Sequence, residues 1–301
     1  MRRKIHLPMV LGRKLNTGWI FVVPAIVSFL MFKYYPMLMG ITVSFFRFDV
    51  MNPPGDFVGF RNYLRAFKDP LVRNALKNNV QFWLLMLIMN QFVPLVLAVL
   101  VDEVRKHKAF IRTLYYLPAI LPGVVTTVLW KYFWQPDYGL ANYIVTSLGF
   151  KAQMWLNDIN LVKICMRFPG MLIMAGMGGG MDFIIYLAAL NGINREMYES
   201  AQVDGATFLK RLFRITIPSI LPTMGMLVIM STMGVFNMFD EVMIMTGGGP
   251  ARATETLVLY AFQKAYRETD YSYAVTITVL AFVIVFILTL FQIKVQRGRD
   301  E

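Results

Sequence analysis

Long apolar stretches separated by short polar or basic segments recur along the whole chain. Each stretch has about the twenty residues that a helix needs to cross the hydrocarbon core of a bilayer. Helices are expected because an open sheet edge would leave backbone groups unpaired in lipid. Six spans can be read, at residues 19–46 (with an interruption at 33–36), 80–101, 110–134, 161–189, 217–239 and 273–293. The pattern predicts an all-α membrane protein that forms a single domain over residues 1–301.

The composition agrees with a membrane protein and changes how the charge is interpreted. Of the 301 residues, 57% are hydrophobic and 16% are charged, whereas soluble domains carry about 25% charged residues. The net charge of +12 is compatible with nucleic-acid binding. In so apolar a chain, however, basic residues indicate membrane topology and contact with anionic headgroups. A lipid membrane is therefore an expected partner, and nucleic acid is not.

Residues able to do covalent or metal chemistry are sparse. Cys165 is the single cysteine, which excludes an internal disulfide. The two histidines, His6 and His107, lie far apart in basic segments, so neither a metal site nor a Ser-His-Asp set is expected. The sequence predicts no enzyme site and no cofactor in this chain.

The distribution of basic residues predicts the orientation. An even number of spans puts four basic segments on one side, at residues 1–18, 105–112, 195–214 and 294–299. The positive-inside rule makes that side cytoplasmic, together with both termini. The first outer loop opposes this assignment, because residues 61–77 contain five basic side chains that Asp56 and Asp69 offset only in part.

The amino end is expected to be a basic cytoplasmic segment, residues 1–18, followed by a retained first span. The apolar run that follows it is too long for a cleavable signal peptide, and no small-residue cleavage site comes closely after it.

A polar loop at residues 194–216 has an ordered pattern between the predicted fourth and fifth spans. It resembles the E-A-A, then G, then I-x-L-P pattern of the permease subunits of bacterial ATP-binding-cassette importers. The positions that match are Glu199, Ala201, Gly205, Ile215 and Pro218. Ser200 replaces an alanine of that pattern and Ile217 replaces its leucine.

The residues of this loop also predict its local structure. Asn194 is a good N-cap for a helix that runs to Val203, Gly205 would end that helix, and Pro218 would start the fifth span. The resemblance implies a cytoplasmic coupling helix that docks on an ATPase subunit. The residues assigned to that role are Glu199, Ser200, Ala201, Asp204 and Gly205. An ordinary interfacial helix is the alternative.

The segment at residues 246–250, with three consecutive glycines at 247–249, invites comparison with a phosphate-binding loop. No G-x-x-x-x-G-K-[ST] pattern occurs in the chain and no strand is predicted before the run, so an outer turn is the better prediction. The same run resembles the sugar permeases of this superfamily, as do residues 112–118, Trp130 and residues 139–142.

The resemblance covers the chain from about residue 75 to its end and points to the branch that takes up larger oligosaccharides, acidic alginate-like sugars included. It implies the fold of type I importer permeases, a bacterial cytoplasmic (inner) membrane location and alternating access. The implied partners are a homologous sister permease, two ATPase subunits that bind ATP and Mg, an extracytoplasmic solute-binding protein and the oligosaccharide.

In this family the sugar sits midway along the fourth and fifth spans. The positions assigned to the substrate pathway are Met177, Gly178, Met181, Ser231, Gly234, Val235, Met238, Asn237 and Asp240. Small residues there would widen the cavity, but they also suit close helix packing, and both interpretations stay open.

Polar groups inside the spans leave a second class of function open. Arg167, Asp182, Asn90 and Gln91 lie within apolar stretches, where charges are often functional and amides often bond between helices. A secondary transporter with its own coupling-ion site is the alternative, but neither inverted repeats nor paired mid-membrane carboxylates are evident.

Overall fold

The computed structural model describes residues 18–48, 51, 53–104, 107–116, 120–166 and 180–300. Most of these residues are helical, as the apolar pattern predicts. The helices of the first half are α1 (Gly18–Phe29), α2 (Tyr35–Val43), α3 (Arg61–Lys68), α4 (Pro70–Glu103), α5 (Lys108–Tyr116), α6 (Gly123–Phe133) and α7 (Leu140–Ser147). Those of the second half are α8 (Gly180–Asn191), α9 (Arg195–Val203), α10 (Phe208–Arg211), α11 (Ile217–Phe236), α12 (Asp240–Met245), α13 (Leu257–Tyr266) and α14 (Tyr271–Asp300). Two short strands, β1 (Phe46–Arg47) and β2 (Asp56–Phe57), form an antiparallel pair.

Four segments of the described chain are long and apolar enough to cross a membrane: Phe21–Val43, Pro70–Glu103, Phe208–Phe236 and Tyr271–Gln296. They correspond to the predicted first, second, fifth and sixth spans. Of the predicted fourth span, residues 167–179 lie outside the described residues. The predicted third span is not one helix, because the backbone leaves helical geometry at Leu121 and Pro122 between α5 and α6. Proline lacks the N–H that an uninterrupted helix requires.

Two prolines that were expected to interrupt or start a span instead follow a π-helical turn. Residues Leu30–Tyr34 and Leu212–Thr216 are π-helical, and the N–H of Ile217 reaches back to the carbonyl of Leu212. The wider turn moves the preceding carbonyls away from the rings of Pro36 and Pro218, which would otherwise clash with them. The first span is therefore continuous, and the fifth begins at Phe208 rather than at Pro218.

Helix α4 is the longest element and connects the two ends of the bundle. Its 34 residues extend over about 51 Å at 1.5 Å per residue, well beyond a hydrocarbon core of about 30 Å. It begins ten residues before the predicted start, because Asp69 caps it by accepting the N–H of Leu71 at 2.8 Å. Its polar first turns stand above the apolar stretch, so hydropathy alone does not reveal them.

Three clusters of buried side chains among the described residues include α4, and two of them lie near its ends. Near its C-terminal end, Leu95 and Ala98 pack with Tyr186 of α8 and Leu227 of α11. Near its N-terminal end, Val72 and Ala75 pack with side chains of α13 and α14. The N-terminal end of α4 also holds the loop at Arg252. The carbonyl of Arg252 accepts hydrogen bonds from the side-chain amides of Asn74 and Asn78.

A half-buried carboxylate organises the N-terminal end of α4. Asp69 accepts hydrogen bonds from the hydroxyls of Tyr260 and Tyr273, each at 2.7 Å, in addition to the N–H of Leu71. Burial alone would raise the pKa of Asp69, but these three hydrogen bonds and the charge of Lys264 outweigh it and hold the pKa below its ordinary value. Asp69 thus ties α13 and α14 to the start of α4.

We expect Asp69→Asn to lower the melting temperature of the detergent-solubilised protein. Asparagine keeps the cap but removes the charge that strengthens both tyrosine bonds, a loss of about 1–2 kcal/mol. Because the folded pKa is lowered, this contribution is complete above the ordinary carboxyl pKa of about 4 and fades only as the pH falls through the lowered value. The deficit should therefore be constant across neutral pH.

The matched control is Asp137→Asn, since the exposed carboxylate of Asp137 makes no hydrogen bond to another described residue. Equal melting of Asp69→Asn and the unaltered protein would contradict the assigned role of Asp69.

Candidate functional site

Helix α9 carries the predicted loop site and begins and ends as the sequence predicts. The side chain of Asn194 accepts the N–H of Glu196 at 3.0 Å, which caps the first turn. Gly205 ends the helix with a φ of +71°, in the left-handed region that favours glycine. The N–H of Ala206 then bonds back to the carbonyl of Ala201 at 2.8 Å. The helix is thus a short rigid unit with defined ends.

One side of α9 is attached to the bundle. The hydroxyls of Tyr198 and Thr216 lie 2.8 Å apart, and Thr216 is buried at the start of α11. A recess of about 400 Å³ separates α9 from the C-terminal end of α4, with Asp102, Tyr198 and Arg211 among the residues that line it. Movement of α9 would therefore reach α11 directly through Thr216.

The opposite side of α9 is exposed and carries the predicted contact residues. Glu199, Ser200 and Asp204 are exposed, and Ala201 is half-buried. The carboxylates of Glu199 and Asp204 make no hydrogen bond to any other described residue. Val203, at the end of the helix, is 88% exposed. Exposed acids beside exposed apolar side chains suit a protein surface with basic and apolar groups.

The second predicted site lies mainly along one face of α11. Ser231 is half-buried, while Gly234 and Asn237 are exposed. A Cβ added to Gly234 would meet no atom within 4 Å. The exposed methionines Met226, Met230 and Met233 continue the same face toward α10. This face is exposed in the single chain, and its unbranched methionine side chains can adapt their shape to a partner.

The other predicted pathway residues are distributed differently. Met181 is exposed at the start of α8, and Asp240 is exposed at the start of α12. Val235 and Met238 are 2% and 4% exposed and belong to the core of the subunit, which contradicts their predicted place on a cavity wall. Met177 and Gly178 lie outside the described residues.

Hydrogen bonds at mid-depth join three helices around Gln91. Its side chain accepts the hydroxyl of Tyr186 at 2.8 Å and donates to the hydroxyl of Ser231 at 3.3 Å. Interhelical bonding was one interpretation of the polar residues in the spans, and it is the one observed for Gln91. Asn237 instead bonds within its own helix, to the carbonyl of Met233.

Thr232 forms a second polar junction that the sequence did not reveal. Trp83 of α4 and Gln292 of α14 both donate to its hydroxyl, each at 2.9 Å. A threonine within an apolar helix commonly bonds its own backbone, as Thr232 also does at Val228, so the spacing carried no signal of these partners.

The glycine-rich loop at residues 246–250 is a turn, as predicted. Gly247 and Gly248 have φ values of +62° and +95°, and the hydroxyls of Thr246 and Thr254 meet at 2.7 Å across the turn. No group of three His, Cys, Asp or Glu side chains that could hold a metal ion occurs in the described part of the chain.

Comparisons with known proteins agree with this geometry. Residues 92–299 match the family of binding-protein-dependent transport system inner membrane components. The chain is 31% identical over 288 residues to the probable ABC transporter permease protein YurN of Bacillus subtilis, over 94% of this chain and 97% of that protein. It is also 31% identical over 288 residues to the lactose transport system permease protein LacF of Rhizobium radiobacter, over 94% of each chain.

A solved structure shows the same fold. The chain superimposes on a chain of a bacterial alginate ABC transporter, crystallised with an alginate pentasaccharide-bound periplasmic protein, with a TM-score of 0.79. The two are 25% identical, and the match covers 91% of this chain and 92% of the other.

Proposed function

The chain belongs to the family of binding-protein-dependent transport system inner membrane components, and we propose that it is one permease subunit of an ATP-driven importer of oligosaccharides. The observation that carries the proposal is α9, a capped helix attached to the bundle on one side and exposed on the other, where the carboxylates of Glu199 and Asp204 bond to no other described residue. Such a helix can dock on an ATPase subunit and pass its movement through Tyr198 and Thr216 to α11.

The substrate class is proposed from the relatives. One relative is a lactose permease and one structural neighbour comes from an alginate transporter, so saccharides of different length and charge are the candidates. The site residues proposed to face the sugar are Met181, Ser231, Gly234, Asn237 and Asp240. Gln91 would support Ser231 from behind, through the hydrogen bond between their side chains.

The proposed assembly contains a homologous sister permease, two ATPase subunits that bind ATP and Mg, and an extracytoplasmic solute-binding protein. Exposed apolar side chains support contact with the sister subunit and with lipid. They cover α1, α2 and the π-helical turn between them, where Phe21, Phe32 and Tyr35 are among the exposed residues.

The proposed orientation places α9 and both termini in the cytoplasm, and the N-terminal end of α4 outside. The basic residues of the first outer loop are compatible with it. Arg65 forms a 2.7 Å ion pair with Asp270 and lies 3.8 Å from the ring of Tyr273, so folding fixes it at that end despite the positive-inside rule.

We expect Lys210→Cys to react with a membrane-impermeant thiol reagent only after the membrane is opened, and Arg252→Cys to react in intact spheroplasts. Both side chains are exposed, and both changes are made in a Cys165→Ser background, which itself should not react. Labelling of Lys210→Cys but not Arg252→Cys in intact spheroplasts would reverse the proposed orientation.

The proposed function is tested by ATP hydrolysis in vesicles that contain the full complex and a candidate binding protein with its sugar. Stimulation by the loaded binding protein is the expected result. We expect Glu199→Lys to abolish most of this stimulation, because a like-charge contact with a basic docking surface costs several kcal/mol, a rate loss of more than about tenfold.

Glu196→Lys is the matched control, since Glu196 is exposed on the same helix but lies outside the positions that match the family pattern. Full stimulation in Glu199→Lys would refute docking through α9. Sugar uptake that persists without ATPase subunits would instead favour a secondary transporter.

We expect Gly234→Trp to block uptake of long oligosaccharides more strongly than uptake of short ones. The indole would fill open space on the exposed face of α11, where an added Cβ meets no neighbour. Gly123→Trp, at an open glycine on α6, is the matched control. Uptake of both sugar lengths is measured in complexes that purify intact. Equal loss for both lengths, or loss for neither, would remove Gly234 from the proposed pathway.

A further inference from the structure

A second recess lies at the end of the bundle opposite α9. Its volume is about 610 Å³, and it opens between the first half of α4, the segment around Lys163 and the loop at Ala251. Basic and amide side chains line its upper part, and aliphatic side chains line the rest. The lining residues used below are Lys77, Asn78, Gln81, Lys163, Leu84 and Ile88.

The upper part of this recess is basic and ordered. Lys163 donates to the side-chain oxygens of Asn78, at 2.9 Å, and of Gln81. An ammonium group has three donors, and no further described residue accepts the third, which is therefore available to a ligand. Lys77 is exposed on the same wall and makes no hydrogen bond to another described residue.

No acidic side chain is among the described residues that line the recess. The acids nearest to it in the sequence, Asp158 and Glu255, form hydrogen bonds with other groups. Asp158 accepts the N–H groups of Asn160 and Leu161. Glu255 is buried and accepts two hydrogen bonds from Arg252, each at 2.9 Å. Two lysines without a carboxylate partner indicate an anionic ligand.

The lower wall identifies the class of that ligand. Leu84 and Ile88 are exposed, and the row of side chains that winds around α4 at four-residue intervals continues with Phe92, Val96 and Leu100, all more than half exposed. This stripe offers no hydrogen-bond donor or acceptor to a sugar. It suits a hydrocarbon chain lying along the helix.

We propose that this recess binds an anionic phospholipid. The phosphate oxygens accept hydrogen bonds from Lys77 and Lys163, and an acyl chain follows α4 from Leu84 toward Leu100. The amides of Asn78 and Gln81 hold the Lys163 ammonium in place, so little side-chain ordering is needed on binding. The site is separate from α9 and from the exposed face of α11, and it does not depend on the proposed transport function.

The test is the thermal shift of the purified, detergent-solubilised complex on titration with phosphatidylglycerol, with zwitterionic phosphatidylcholine in parallel. The unaltered protein should be stabilised by phosphatidylglycerol and little affected by phosphatidylcholine. Lys77→Gln should weaken the apparent affinity about fivefold, because a lysine at an anionic lipid surface contributes about a factor of that size. Lys77→Glu should weaken it further, and Lys77→Gln combined with Lys163→Gln should abolish the shift.

Lys68→Gln is the matched control, since Lys68 is exposed at the same end but does not line the recess, and it should leave the titration unchanged. The single Lys77 variants keep the test valid if loss of Lys163 disturbs folding through Asn78. An unchanged shift in Lys77→Glu, or an equal shift with phosphatidylcholine, would overturn the proposal. An equal shift with inorganic phosphate or with a soluble uronic-acid oligosaccharide would also overturn it, in favour of a soluble anion. None of these measurements requires ATP hydrolysis or uptake.

Discussion

In hydrocarbon, every backbone N–H and C=O group has to find its partner inside the protein, and this requirement shapes the helical segment from Phe208 to Phe236. Pro218 removes one donor in the middle of that helix. The π-helical turn at Leu212–Thr216 accommodates the ring, and the chain stays helical from Phe208 to Phe236. A helix that is continuous through the proline can transmit displacement from α9, through Thr216, to the face that carries Gly234.

Polar junctions add what apolar packing cannot provide inside a membrane. Lipid tails are as apolar as leucine, so burial of apolar side chains gives little drive for helices to associate there. Gln91 joins α4 to α8 and α11, and Thr232 joins α11 to α4 and α14. These bonds fix the rotation of α11 about its axis, and that rotation decides which of its residues are exposed.

The two ends of the bundle differ in how their charges are used. At the N-terminal end of α4, Asp69, Arg65 and Glu255 bond to partners within the chain and hold the loops at that end in place. On α9, the carboxylates of Glu199 and Asp204 have no partner among the described residues. Internally satisfied charges stabilise the fold, whereas unsatisfied exposed charges remain for another molecule.

The sequence by itself determined the features that depend on local properties. The length of the apolar stretches gave four of the predicted spans, Asn194 and Gly205 gave the ends of α9, and the spacing from Glu199 to Pro218 gave the family. Hydropathy did not predict the cap at Asp69 or the helical first turns of α4, because these residues are polar and precede the apolar stretch. Hydropathy did not predict the break at Leu121 and Pro122 either, because the residues around it are apolar.

Only the tertiary structure decided which way the side chains of the spans face. Helix α11 is apolar on all sides, so its sequence has no polar face that would indicate a direction. From the sequence, Val235 and Met238 were therefore as good candidates for an exposed face as Gly234. The hydrogen bonds at Ser231 and Thr232 set the rotation of α11, which buries Val235 and Met238 and leaves Gly234 exposed. The same reason applies to Lys77 and Lys163, which are 86 residues apart and meet at one recess only because α4 and the segment around Lys163 pack side by side.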